Sequence, residues 1–243
     1  MKALKIIKPS SISEAYEVLH SQKKASLIAG GLFMRLQKKT FPLLIDLEPL
    51  NLNYIKPIKD GYIIGAMTPL RGLEQGTVPN ALKTAVKQIS GVGVRNMATV
   101  GGSICGKYPF SDINSALLAL DAYLVFYNKG KMSMRDFYKK GLDDKDILVE
   151  IYIKKPKDSV TKYYKKVYTD FSLVNVAYAD DDFVIGARPG KAIVVEQVTE
   201  LTPDNILKGI SFKDDYRASG EYRKALATAL IEDIIKERGT YGS

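Results

Sequence analysis

Two glycine pairs, Gly30-Gly31 and Gly101-Gly102, limit what this chain can fold into more than any other feature. Each follows a short run that favours extended backbone: Ser26-Leu27-Ile28-Ala29 before the first, Ala98-Thr99-Val100 before the second. Glycine has no Cβ, so backbone there can come close to a neighbour and take positive φ at little cost. The bare peptide N–H groups of such a bend can face an anion. Paired glycines are also ordinary punctuation between elements, and a plain tight turn is the competing reading of either pair alone. Two strand-to-glycine bends on one chain can instead grip the two phosphates of a dinucleotide from either side.

The remaining elements are read around these bends. Ser111 or Asp112 caps a helix that carries Ile113, Ala116, Leu117 and Leu120 at helical spacing, so residues 96–122 read as glycine turn, loop and capped helix. Near the start, Ser11 and Glu14 have the spacing of a capping box, with Ile12, Ala15, Tyr16 and Leu19 on one face. A brief strand at 27–28, a short helix and a strand at 43–47 follow. From Tyr54 a hairpin turning at Asp60-Gly61 opens a second subdomain. Asn80 is positioned to cap a helix bearing Leu82, Ala85, Val86 and Ile89, which Gly91 ends, and 123–127 favours a strand.

The polar segment 141–146 divides the chain into residues 1–144, with subdomains of about 1–53 and 54–144, and residues 145–243. Beyond it, strand-like runs at 147–153, 160–168, 173–178, 183–188 and 192–196 suggest an antiparallel sheet. Helices at 203–207 and 220–238 cover it, which makes an α+β arrangement.

Composition removes several classes. No apolar run approaches the roughly 20 residues needed to cross a bilayer, and the opening Met-Lys-Ala-Leu-Lys-Ile-Ile-Lys-Pro is too short for a secretory signal, so a cytoplasmic protein without membrane attachment is expected. One cysteine, Cys105, excludes an internal disulfide, and cannot supply the roughly four thiolates of a cysteine-ligated iron–sulfur cluster. It reads as a small buried thiol. The single histidine, His20, reads as a helix-end residue, and no metal site is expected. The net charge of +9 is spread among acidic residues without a basic aromatic stripe, which speaks for a solvated surface and against nucleic acid. Some of that charge favours an acidic partner subunit or a pyrophosphate.

Taken together, several segments resemble the flavin-binding (medium) subunit of molybdenum hydroxylases, the family of carbon monoxide dehydrogenase and bacterial xanthine dehydrogenase. They are Ala29-Gly30-Gly31, the run from Arg95 through Asn96-Met97-Ala98-Thr99-Val100-Gly101-Gly102-Ser103 to Ile104, then Ser111-Asp112 and 117–122. Residues 146–151, 171–177 and 215–223 extend the likeness in the same order over nearly the whole chain. The resemblance implies a two-subdomain FAD-binding domain of the PCMH/VAO type, followed by a C-terminal antiparallel sheet covered by helices.

It also implies that Leu27, Ile28, Ala29, Gly30, Gly31, Leu32, Phe33 and Met34, with Thr99, Val100, Gly101, Gly102 and Ser103, wrap the FAD pyrophosphate and ribityl chain. Asp112 matches an aspartate that contacts the cofactor, with helix capping as its alternative role. Ile89, Ile104 and Leu148 fall where apolar atoms line adenine or flavin, with plain core as the alternative, and Lys166 lies near the flavin-facing strands. No catalytic acid, base or nucleophile is implied.

The role implied is electron transfer. FAD on this chain takes electrons from [2Fe-2S] clusters of an iron–sulfur subunit, fed by a molybdopterin subunit, and passes them to an acceptor such as NAD(P). Leu32 and Phe33 depart from the small hydroxyl and polar residues usual in the family, so a scaffold subunit with weak flavin binding is the alternative. A flavin reductase of peptidoglycan precursor synthesis is the more distant one.

Overall fold

The computed structural model describes residues 1–241, which form two compact units; neither is a continuous stretch of chain. The first comprises Met1–Thr77, Gly91–Gly106 and Ala122–Ile153. Its three-stranded parallel sheet runs Ile6–Ile7, Leu43–Asp46, Ala25–Ile28, beside a short parallel pair of Lys2–Ala3 with Thr40–Phe41. The helix Ile12–Ser21 packs Ala15 and Leu19 with Leu43, Ile45 and Leu47. Its capping box is offset by one residue: Ser11 Oγ accepts from the Glu14 amide at 3.1 Å, while the Glu14 carboxylate accepts from the amide and hydroxyl of Ser10 at 2.7 and 2.8 Å.

The first unit also holds a five-stranded sheet in the order Ile55–Ile58, Gly61–Gly65, Leu148–Lys154, Tyr123–Phe126, Gly130–Ser133. The Asp60-Gly61 hairpin forms as the turn signal implies. The strand Leu148–Lys154, by contrast, lies here and not in the C-terminal sheet. Its partners decide this: it pairs antiparallel with Tyr123–Phe126, and the Val149 carbonyl accepts from the Ala66 amide at 2.9 Å. The polar segment 141–146 is tied within the same unit, where the Asp146 carboxylate accepts from the Lys129 amide at 2.7 Å and Lys145 Nζ donates to the Lys23 carbonyl at 3.2 Å.

The second unit comprises Val78–Ser90, Lys107–Asp121 and the chain from Lys154 onward. Its antiparallel meander runs Ser159–Tyr164, Val174–Ala179, Asp182–Gly186, Ile193–Val195. The helix Gly220–Tyr241 lays Ala227, Ile231 and Ile234 on Val176, Tyr178, Phe183 and Ile185. Arg223 on that helix is fully buried, and its guanidinium donates to the carbonyls of Leu173 and Ala187 and to Asp215. Every residue of the helix Asp112–Ala119 is buried. Asn80 is the first residue of the helix Asn80–Lys87 and not its cap; Pro79 holds the cap position without a side-chain hydrogen bond. Among the described residues no helix is long and apolar enough to cross a membrane.

Candidate functional site

In the first unit the strand Ala25–Ile28 runs into Gly30-Gly31, and Gly31 takes φ +68°, a value that favours glycine. It opens the short helix Leu32–Leu36, whose first turn has no side-chain cap. An uncapped helix start suits an anion, since its leading amides have no partner within the helix. Leu32 is partly buried and Phe33 is exposed, so apolar surface stands where a hydroxyl and a polar group were usual in the resemblance.

The second glycine segment meets the first. A Cβ on Gly30 would stand 1.7 Å from the Met97 carbonyl oxygen, so these backbones touch only because residue 30 has no side chain. Met97 ends the helix Val92–Met97, which is pinned by buried Arg95. Arg95 Nε donates to Glu74 at 2.9 Å, and Arg71 reaches the same carboxylate at 2.7 Å. First the Arg71 hydrogen bond and then the Arg95 one hold the Glu74 carboxyl below its ordinary range, against the opposing effect of burial.

Gly101-Gly102 is not a turn. Both residues lie in the helix Val100–Gly106, with Thr99 just before it: the Gly102 amide donates to Thr99 Oγ1 at 3.2 Å and the Ser103 amide to the Thr99 carbonyl at 3.1 Å. The Val100 and Gly101 amides are taken by the carbonyls of Thr68 and Ala66, at 3.0 and 2.9 Å. Gly101 serves close packing, since a Cβ there would come within 2.7 Å of the Ala66 oxygen. What this segment presents outward is Gly102, exposed, and Ser103, partly exposed with its hydroxyl on the Thr99 carbonyl at 3.0 Å. Ile104 and Leu148 are buried in the first unit. Cys105 is exposed, contrary to the buried thiol expected, because it lies on the outer side of a helix whose inner side is taken by Val100, Gly101 and Ile104.

Ile89, Asp112 and Lys166 belong to the second unit. Ile89 lies just past the helix Asn80–Lys87 and is partly buried. Ser111, not Asp112, is the cap of its helix, accepting from the Asn114 amide at 3.2 Å. That leaves the buried Asp112 carboxylate to accept from Ser172 Oγ at 2.8 Å and Asn175 Nδ2 at 2.7 Å. Burial pushes its pKa up; the Ser172 hydrogen bond, the Lys165 charge and the Asn175 hydrogen bond oppose this. Lys166 is exposed and donates to the Arg217 carbonyl.

Sequence reasoning passed over Lys165, which is partly buried and donates from Nζ to the Gln88 carbonyl at 2.7 Å. The strand Ser159–Tyr164 ends just before the adjacent pair Lys165-Lys166, so strand alternation does not separate the two lysines, and the sequence carries no signal that distinguishes them.

The profile of the family described as the FAD binding domain in molybdopterin dehydrogenase matches residues 2–156, and the chain belongs to that family. The glyceraldehyde dehydrogenase medium chain of Sulfolobus acidocaldarius is 27% identical over 272 residues, covering 95% of this chain and 96% of its own length. The uncharacterized protein YgfM of Escherichia coli K12 is 28% identical over 249 residues, covering 95% and 94%. Among solved structures, quinoline 2-oxidoreductase from Pseudomonas putida 86 shares the fold with a TM-score of 0.85 at 22% identity, over 96% of this chain and 95% of that one. The chain is thus an FAD-binding oxidoreductase subunit of the molybdenum hydroxylase type, with the mixed helix-and-sheet fold expected.

Proposed function

We propose that this chain carries electrons within a heteromeric molybdenum hydroxylase, from the [2Fe-2S] clusters of an iron–sulfur subunit to an external acceptor such as NAD(P), with molybdopterin on a third subunit. Bound FAD would supply the chemistry, because a flavin can accept electrons singly and give them up in pairs. The protein's part is to bind and orient the cofactor. One observation carries the reading: two glycine-bearing segments, far apart along the chain, are in backbone contact at Gly30 and Met97.

In the first unit, the stretch from Leu27 to Met34 would hold the diphosphate through the uncapped turn at Gly31, with Gly102 and Ser103 from the second segment beside it. Thr99, Val100 and Gly101 would act by fixing that segment, since their hydrogen bonds are made to protein. Ile104 and Leu148 would back it with apolar atoms. Ile89, Asp112 and Lys166 of the second unit keep their cofactor roles only as part of this proposal, Asp112 through the groups it anchors.

The protein purified with its partner subunits should be yellow, release FAD on heat denaturation, and bleach when a purine or aldehyde substrate is added. A complex with no bound flavin would overturn the assignment. The second reading, a scaffold subunit that holds flavin weakly, is favoured by the apolar Leu32 and Phe33 at the head of the uncapped turn. It predicts intact assembly with substoichiometric FAD.

A further inference from the structure

Among the described residues of the first unit, the outer edge of the N-terminal chain is open. Lys2–Ala3 has Thr40–Phe41 as its one neighbour and Ile6–Ile7 has Leu43–Asp46, so residues 2–7 run as the last strand on that side. The amides of Lys2 and Leu4 donate inward, to the carbonyls of Lys39 and Phe41 at 3.2 and 3.0 Å. Alternation along an extended chain turns the Ala3 and Lys5 amides outward. A row of unpaired peptide groups is a template for another strand. Lysine on an edge often guards against that, yet this edge also shows Leu4 and Ile6 on one face, 64% and 58% exposed.

On the opposite face Lys5 and Ile7 border a groove of about 310 Å³, whose walls include Val18, Lys24 and Leu43. The charge around it has one sign. Residues 1–13 and 21–45 carry eight lysines and arginines and no acid. Of the eight only Lys8 is ion-paired among the described residues, with Asp46 and Glu48. A second copy of this chain would set Lys2 and Lys5 against lysines of its own, and like charges across a strand pair destabilise it. A lipid surface supplies negative charge but no row of peptide groups to complete a ladder.

We propose that the edge formed by residues 2–7 accepts an extended acidic segment of another protein chain as an added strand. Its carboxylates lie toward Lys5 and Lys24, and its apolar residues lie beside Leu4 and Ile6. The inference does not depend on the electron-transfer reading, and its test needs no flavin.

The full-length chain would be titrated with a dye-labelled octapeptide of alternating glutamate and valine, followed by fluorescence anisotropy. Two companion peptides differ in one property each. One has lysine for glutamate; the other has proline for its two central valines, which removes peptide N–H groups and leaves the charge untouched. The acidic peptide should bind about tenfold more tightly than either, through charge in the first case and main-chain hydrogen bonds in the second. Its binding should slow hydrogen exchange at the Ala3 and Lys5 amides. Lys5→Glu with Lys24→Glu should weaken it about tenfold and flatten its salt dependence. Lys208→Glu with Lys213→Glu, exposed lysines of the second unit, makes the same change in net charge and should stay within about threefold of native.

The proposal is overturned if the acidic peptide is not preferred, if the proline peptide binds as well, or if the two pairs of substitutions lose equally. Anionic lipid vesicles or duplex DNA that bind more tightly than the acidic peptide, with the same loss in the Lys5 and Lys24 variant, would replace the protein strand with another partner. A native dimer that already protects the Ala3 and Lys5 amides would assign the edge to self-association instead.

Discussion

Replacing Gly30 by alanine tests whether the two glycine-bearing segments must touch. An alanine Cβ at that position would stand 1.7 Å from the Met97 carbonyl oxygen, 2.7 Å from its carbonyl carbon and 3.4 Å from the Ala98 Cα. Ordinary C···O contacts begin at about 3.3 Å, so the segments would have to part by roughly 1.6 Å. All three neighbours are backbone atoms, and no change of rotamer can relieve the clash. Overpacking of this kind typically costs about 1–3 kcal/mol. At roughly 2–4 °C per kcal/mol for a chain of this size, Tm should fall by between about 2 and 12 °C.

FAD affinity should fall with it, by about tenfold or more, because the bend that would face the diphosphate moves by more than the tolerance of a hydrogen bond. Gly91→Ala is the matched control: a Cβ there meets nothing within 4 Å and φ is −87°, so its stability should stay within about 1 kcal/mol of native, the preference of a helix N-cap for glycine over alanine. Scanning calorimetry and an FAD titration on both variants read the two effects. The reasoning is refuted if Gly30→Ala matches Gly91→Ala in both Tm and affinity.

In the second unit, Gly186→Ala would place a Cβ 2.3 Å from both Asn175 Oδ1 and Ser115 Oγ. Asn175 is fully buried and bonded to Asp112, so relief would break that bond, and urea unfolding should show a loss of about 1–3 kcal/mol. Glu74 gives a pH test. Its folded pKa lies below the ordinary 4.5 through Arg71 and then Arg95, so its contribution is complete above that value and is lost as pH falls through the lower, folded one. A Tm series run downward from about pH 6 should therefore drop less steeply in Glu74→Gln than in the native protein, and parallel curves would contradict the sign.

Local signals recovered most elements. Strand residues followed by glycines located Ala25–Ile28 and its bend, the Asp60-Gly61 pair located its hairpin, and runs of strand-favouring residues located the C-terminal meander. What sequence did not reveal was decided by partners distant along the chain. Gly101-Gly102 reads as a turn in isolation, but Ala66 and Thr68 supply carbonyls that hold the segment, and Thr99 starts a helix through both glycines. The run beginning at Leu148 has the composition of any half-buried strand, and only its pairing with Tyr123–Phe126 places it in the first unit. Of the candidate site residues, the structure brings the two glycine segments together in one unit. It replaces Asp112 as helix cap with Ser111, and leaves Lys166 outward while turning Lys165 toward Gln88.

The order in which the five-stranded sheet is synthesised has a cost for the cell. Its central strand, Leu148–Lys154, sits between Gly61–Gly65 and Tyr123–Phe126, and is the last of the five to leave the ribosome. At about 5–20 residues per second, the earlier hairpin waits several seconds with a strand edge open to other nascent chains. Translation arrested before residue 148 would therefore release two hairpins with nothing to join them, a species suited to chaperone capture and not to assembly.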